Sequence, residues 1–68
     1  MSEWNAVESF TLEAMAEEGI TEDALRGRWE EVADDMALIP ERNVRITRQG
    51  DVVRVEVSQE LLDCMRGC

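Results

Sequence analysis

The sequence predicts an α+β fold in the order ααββα: a helix pair, an antiparallel β-hairpin and a short C-terminal helix. Three observations carry this expectation. Apolar residues recur at three- and four-residue intervals through the first 36 positions, they alternate with polar residues between Val44 and Val57, and a cap signal at Ser58 precedes a last apolar stripe. A chain of 68 residues is expected to form a single domain, 1–68, that buries roughly 60% of its unfolded surface and draws about 3–5 kcal/mol from its core. That leaves no room for a large substrate cavity.

The first helix is expected over 3–18, because Trp4, Val7, Phe10, Thr11, Ala14 and Met15 fall on one side of a helical wheel, with Ser2 as N-cap. Gly19 ends it, since a residue without Cβ adopts the left-handed C-terminal conformation at little cost and Ile20 can fold back after it. Thr21 supplies the hydroxyl that caps a second helix over 22–37, Glu22 and Asp23 suit the positive end of its dipole, and Ile20 can staple to Leu25. Its stripe is Leu25, Trp29, Val32 and Met36, flanked by Ala24 and Ala33. Gly27 costs about 1 kcal/mol relative to Ala inside a helix, which suggests close helix–helix approach. The short link predicts an αα-hairpin with facing stripes and with Trp4 and Trp29 as its core anchors. Pro40 marks the end of the helical half, because it disfavours helical geometry at Ile39 and has no N–H.

Strands are expected at 43–48 and 52–57, where Val44 and Ile46 alternate with Arg45 and Thr47, and Val53, Val55 and Val57 with Arg54 and Glu56. A two-residue Gly50-Asp51 loop of type II′ opposes Val44 to Val57, Ile46 to Val55 and Arg45 to Glu56. Shifting the loop to Gln49-Gly50 would place Arg45 against Arg54, so charge selects the first register. Ser58 caps a last helix over 59–66, in which Leu61, Met65 and Cys68 share a face. The valine face of the hairpin needs a cover, and the helices are the apolar surfaces available.

All seven basic residues are Arg; Lys, His and Tyr are absent. Without His, acid–base work near neutral pH would need a carboxylate or thiol tuned by burial that so small a core hardly supplies, so a non-enzymatic protein is expected. Cys64 and Cys68 lie one helical turn apart and offer two soft ligands where a closed zinc site needs about four. Neither metal nor cofactor is expected. The two cysteines read as reduced, one at the core edge and one at a frayed end, with an intermolecular Cys68 bridge open in oxidising buffer. No apolar run is long enough for a membrane span and no leader pattern precedes residue 20, so a cytoplasmic protein away from membranes is expected.

Sixteen acidic side chains against seven basic ones give a net charge of −9. Residues 1–36 hold eleven of the acids and only Arg26 and Arg28, whereas residues 37–68 hold five of each sign. Two helices followed by a hairpin, with Arg42, Arg45, Arg48 and Arg54 on or near a possible wing, resemble small winged-helix or excisionase-like DNA-binding modules in element order. However, the helix that would enter the groove bears Glu22, Asp23, Glu30, Glu31, Asp34 and Asp35, which repel phosphates.

Those six carboxylates span about 20 Å of helix, roughly one per 3.3 Å, close to the phosphate spacing of one DNA strand. Glu30–Asp34 and Glu31–Asp35 are like-charge i,i+4 pairs, each unfavourable by roughly 0.2–0.5 kcal/mol, and Arg26–Glu30 and Arg28–Glu31 offset part of this. The expected function is a small acidic inhibitor or adaptor that docks on a basic surface of a partner, such as a nucleic-acid-binding protein, by charge mimicry and without itself binding nucleic acid. Glu30, Glu31, Asp34 and Asp35 form the main contact row, extended by Glu22 and Asp23. In size and charge the chain is similar to small acidic phage-encoded inhibitors, anti-CRISPR proteins and DNA mimics among them. A solvated face that only aids solubility is the plain alternative. Two further alternatives are a homodimer or assembly subunit pairing hairpin edges through Val52–Val57, and a weak nucleic-acid-binding wing.

Overall fold

The computed structural model describes residues 3–67, so the Ser2 cap and the placement of Cys68 lie outside the described residues. The elements are β1 (Trp4–Thr11), α1 (Leu12–Glu18), α2 (Glu22–Asp35), α3 (Pro40–Asn43), β2 (Val44–Gln49), β3 (Val52–Ser58) and α4 (Gln59–Gly67). They form an α+β domain around a three-stranded antiparallel sheet of order β1-β3-β2. β1 and β2 run parallel on either side of β3, joined by the helices, in a split βαβ arrangement.

The largest departure from expectation is at the N-terminal end. Residues 4–11 are a strand, the helix expected over 3–18 is reduced to Leu12–Glu18, and the sheet has three strands, not two. A β-bulge explains the misleading spacing. The register runs Ala6↔Glu56 and then Glu8↔Val55, so Val7 is the extra residue. It shifts the alternation by one, leaving Val7 and Phe10 three apart and both against the core. Trp4 belongs to the other phase, where the Arg45 guanidinium lies 4.4 Å from its ring centroid. It is a strand residue stacked under an arginine, not an anchor of a helix pair.

With β1 on one side and β2 on the other, β3 is the central strand. Val53, Val55 and Val57 are fully buried, as is Leu61 of α4, and each such side chain contributes about 1.5–3 kcal/mol of burial. Val52–Val57, expected as a pairing edge, is thus paired on both sides, and the free edges of the sheet are the outer sides of β1 and β2. The hairpin register is the expected one, with Val44↔Val57, Arg45↔Glu56 and Ile46↔Val55. Arg45 Nε donates to Glu56 Oε1 at 2.7 Å. Gly50 has φ 59 and Asp51 has no positive φ, as a type II′ turn requires.

Thr11 caps α1 and Thr21 caps α2, each hydroxyl accepting at 3.1 Å from the backbone N–H three residues on. The Leu12 N–H, which has no partner within its helix, donates to the Asp51 carbonyl at 2.8 Å and joins α1 to the hairpin turn. α1 and α2 share no extensive interface: α1 lies against β1, and α2 packs on β2 and β3 with Leu25, Trp29 and Ala33 inward. The facing-stripe αα-hairpin is thus replaced by helices laid on a sheet. The strand that displaced the first helix supplies the part of that surface under α1.

α2 ends at Asp35 and not at residue 37, in a Schellman motif. Ala37 N–H donates to Asp34 O and Leu38 N–H to Ala33 O, both at 2.9 Å, with Ala37 in the left-handed region at φ 60. Pro40 then opens α3 from its first position. Asn43 and Ser58, 7% and 5% exposed, tie α3 to β3. Ser58 Oγ donates to Asn43 Oδ1 at 2.6 Å and accepts from the Leu61 N–H, the expected cap of α4. Leu61, Leu62 and Met65 carry α4 into the same core.

Candidate functional site

α2 is amphipathic, and its inner face is tied to the sheet by more than apolar contact. The bulge at Val7 turns Glu8 toward the helix layer, where its side chain is 21% exposed. Glu8 Oε1 accepts from the Trp29 indole N–H at 2.7 Å and Oε2 from Arg28 at 3.3 Å. A charged acceptor under a buried indole contributes about 1.5–3 kcal/mol. Sequence reading missed this role, because Glu8 on a helix would have been one more surface acid.

The outer face is different. Asp23, Gly27, Glu30 and Asp34 follow the i, i+4, i+7, i+11 spacing that lines residues along one side of a helix. Arg28, Glu31 and Asp35 form the neighbouring row, and Glu22 stands on the opposite flank beside Arg26. Asp23, Glu31, Asp34, Asp35 and Glu22 are exposed and Glu30 is half-buried. The six acids thus divide into a central line of three, a second row of two, and Glu22 apart. The central line spans about 16 Å of helix axis.

None of the six has an ion-pair partner among the described residues. Neither the expected Arg26–Glu30 pair nor the expected Arg28–Glu31 pair is formed, and Arg28 is instead drawn to Glu8 across the layer. Gly27 lies within the acidic line, and a Cβ built there meets nothing within 4 Å. Close helix–helix approach therefore does not explain it. The glycine instead leaves a gap in the line of side chains.

On the face of the sheet away from α2, register places Arg54 and Glu56 of β3, Arg45 and Thr47 of β2, and Ser9 of β1. The hairpin arginines lie on strands within the sheet, not on a projecting wing. Cys64 is half-buried with a free thiol. Among the described residues no group of three or more His, Cys, Asp or Glu is arranged to hold a metal ion, and no helix is long and apolar enough to cross a membrane.

Fold and site together define a small α+β domain presenting a carboxylate-bearing helix. No family model, no curated protein and no solved structure matches the chain.

Proposed function

We propose that this chain is a non-enzymatic binding protein, an inhibitor or adaptor that docks the outer face of α2 on a basic surface of a partner protein. The observation that carries this reading is the line Asp23–Glu30–Asp34 with Glu31 and Asp35 beside it, exposed or half-buried and without internal ion-pair partners among the described residues. Self-repulsion on this face is uncompensated, while the two arginines of the same helix lie off its central line. A row of fixed negative charge attracts a cationic surface over long range and speeds encounter. Taken over both rows, five carboxylates in about 18 Å of helix give about one per 3.6 Å of rise, a gross density comparable to that of the phosphates of one DNA strand, which suits a partner whose basic surface holds DNA or RNA. Self-association is the weaker reading, since β3 is paired on both sides and only the outer edges of β1 and β2 remain.

The test is capture from an extract of the native host on the immobilised chain and on its E30Q/E31Q/D34N/D35N variant, at low and at high salt. A basic protein retained by the first, lost at high salt and not retained by the folded variant is the expected result. Equal retention by both would reject the assignment.

A further inference from the structure

Beside the C-terminal end of α2 lies a groove of about 610 Å³, in the roughly 300–1,000 Å³ range of ligand sites and too small for a folded domain. It is lined by the apolar Leu38 and Ile39, by the charged Glu3, Arg42 and Glu60, and by the polar Asn43, Ser58 and Gln59. The polar lining has its side-chain hydrogen bonds within the protein. Asn43 donates to the Ile39 carbonyl and accepts from Ser58, while Gln59 accepts from Asn5 and donates to Asp63. Recognition is left to two apolar side chains and three charges, none of them ion-paired among the described residues.

Ile39 is 54% exposed, the one exposed large hydrophobic among the described residues. The backbone holds it there. Pro40 requires an extended residue before it, and Ile39 has φ −77 and ψ 114. Its carbonyl accepts from Asn43 Nδ2 at 2.7 Å and from the Arg42 N–H at 3.1 Å. Ala37, two residues earlier, is in the left-handed region. A pinned backbone therefore presents an apolar side chain to a groove that two carboxylates and one guanidinium also line.

The geometry points to a binding site for a short segment of a partner protein in which an apolar side chain adjoins an Arg or Lys. The apolar group covers Leu38 and Ile39, and the cation faces Glu3 and Glu60. Two carboxylates against one guanidinium select a cation. This deepens the proposed function and rests on it for the basic character of the partner: α2 accelerates encounter, and the groove lengthens residence.

The experiment is a titration of the full chain, followed by the shifts of its backbone amides in NMR spectra, with acetyl-Leu-Arg-amide, acetyl-Ser-Arg-amide and acetyl-Leu-Glu-amide. Saturable shifts at residues 37–39 and 59–60 are expected, with Leu-Arg binding about tenfold more tightly than Ser-Arg, the value of burying one leucine side chain. Leu-Glu should bind more weakly than Leu-Arg as well. Ile39→Ser, at an exposed position, should lower Leu-Arg affinity about tenfold without altering the fold, and Glu60→Gln should lower it less. Absence of saturable shifts there, or an equal response to all three dipeptides, would overturn the assignment. The E30Q/E31Q/D34N/D35N variant should bind Leu-Arg within about twofold of the parent chain, because its changes lie outside the groove. Dipeptide binding thus reports on the groove and host-protein capture on α2, and each can fail alone.

Discussion

On its inner side α2 meets one carboxylate, Glu8, which accepts hydrogen bonds from both Trp29 and Arg28; on its outer side it carries Asp23, Glu30 and Asp34 with no ion-pair partner among the described residues. The same functional group does opposite work on the two sides. Under the helix, a carboxylate satisfies an indole N–H that has left water. Above it, carboxylates repel one another and hold nothing. Net charge alone cannot separate these roles, whereas the location of the partners does. The acidity of this chain is therefore not uniformly a surface property, and removing acids should destabilise the fold in one place and stabilise it in the other.

The largest effect is expected from Glu8→Ala, which leaves the buried Trp29 N–H unpaired and costs about 2–3 kcal/mol, measured as a lower urea midpoint. That is most of what a core of this size supplies. Glu8→Gln keeps an acceptor for the indole and should recover part of the loss; no recovery would mean that charge, not hydrogen bonding, dominates the inner face. Next, Gly27→Ala should stabilise by about 0.5–1 kcal/mol, because the added Cβ meets open space and removes helix-interior glycine entropy. A lower midpoint would overturn the account of this position. The outer-face variant E30Q/E31Q/D34N/D35N should gain about 0.4–1 kcal/mol at low salt by relieving two like-charge i,i+4 pairs. The gain should vanish at high salt, where screening already removes the repulsion. A loss of stability at low salt would show that these side chains have structural partners after all.

The two Schellman ends provide the smallest test. α1 ends with Gly19 at φ 70 and α2 with Ala37 at φ 60, in the same hydrogen-bond pattern. Ala37→Gly should relieve left-handed strain and gain up to about 1 kcal/mol after the entropy cost of glycine. Thermal unfolding of the single variant reads this directly, and a drop in Tm would be the contrary result. The same change loosens the backbone that presents Ile39, so Leu-Arg dipeptide affinity should fall as stability rises.

Much of the candidate site was legible in advance. The caps at Thr21 and Ser58, the stripe Leu25–Trp29–Met36 and the spacing of the six acids are local features, and each is set by residues within one or two helical turns. Glu22 was grouped with the others because a count along the chain ignores which row of the helix a residue occupies. The groove was invisible, since it joins Glu3, Leu38–Ile39, Arg42 and Glu60, segments far apart in sequence that meet only in the folded domain.

Local residue order is enough to specify the hairpin, with Gly50 permitting the turn and Arg45 opposite Glu56 selecting the register, along with the helix starts at Thr21 and Ser58 and the stop at Gly19. These depend on short-range sterics, capping hydrogen bonds and cross-strand charge. Long-range packing makes Trp4–Thr11 a strand, holds Ala37 in a left-handed conformation without glycine and turns Glu8 into an interior acceptor. One cause underlies all three. A strand is stabilised by partners remote in sequence, and β1 pairs with the edge of β3 that β2 leaves open. The bulge at Val7 that fits β1 to that edge gave its residues the spacing of a helix.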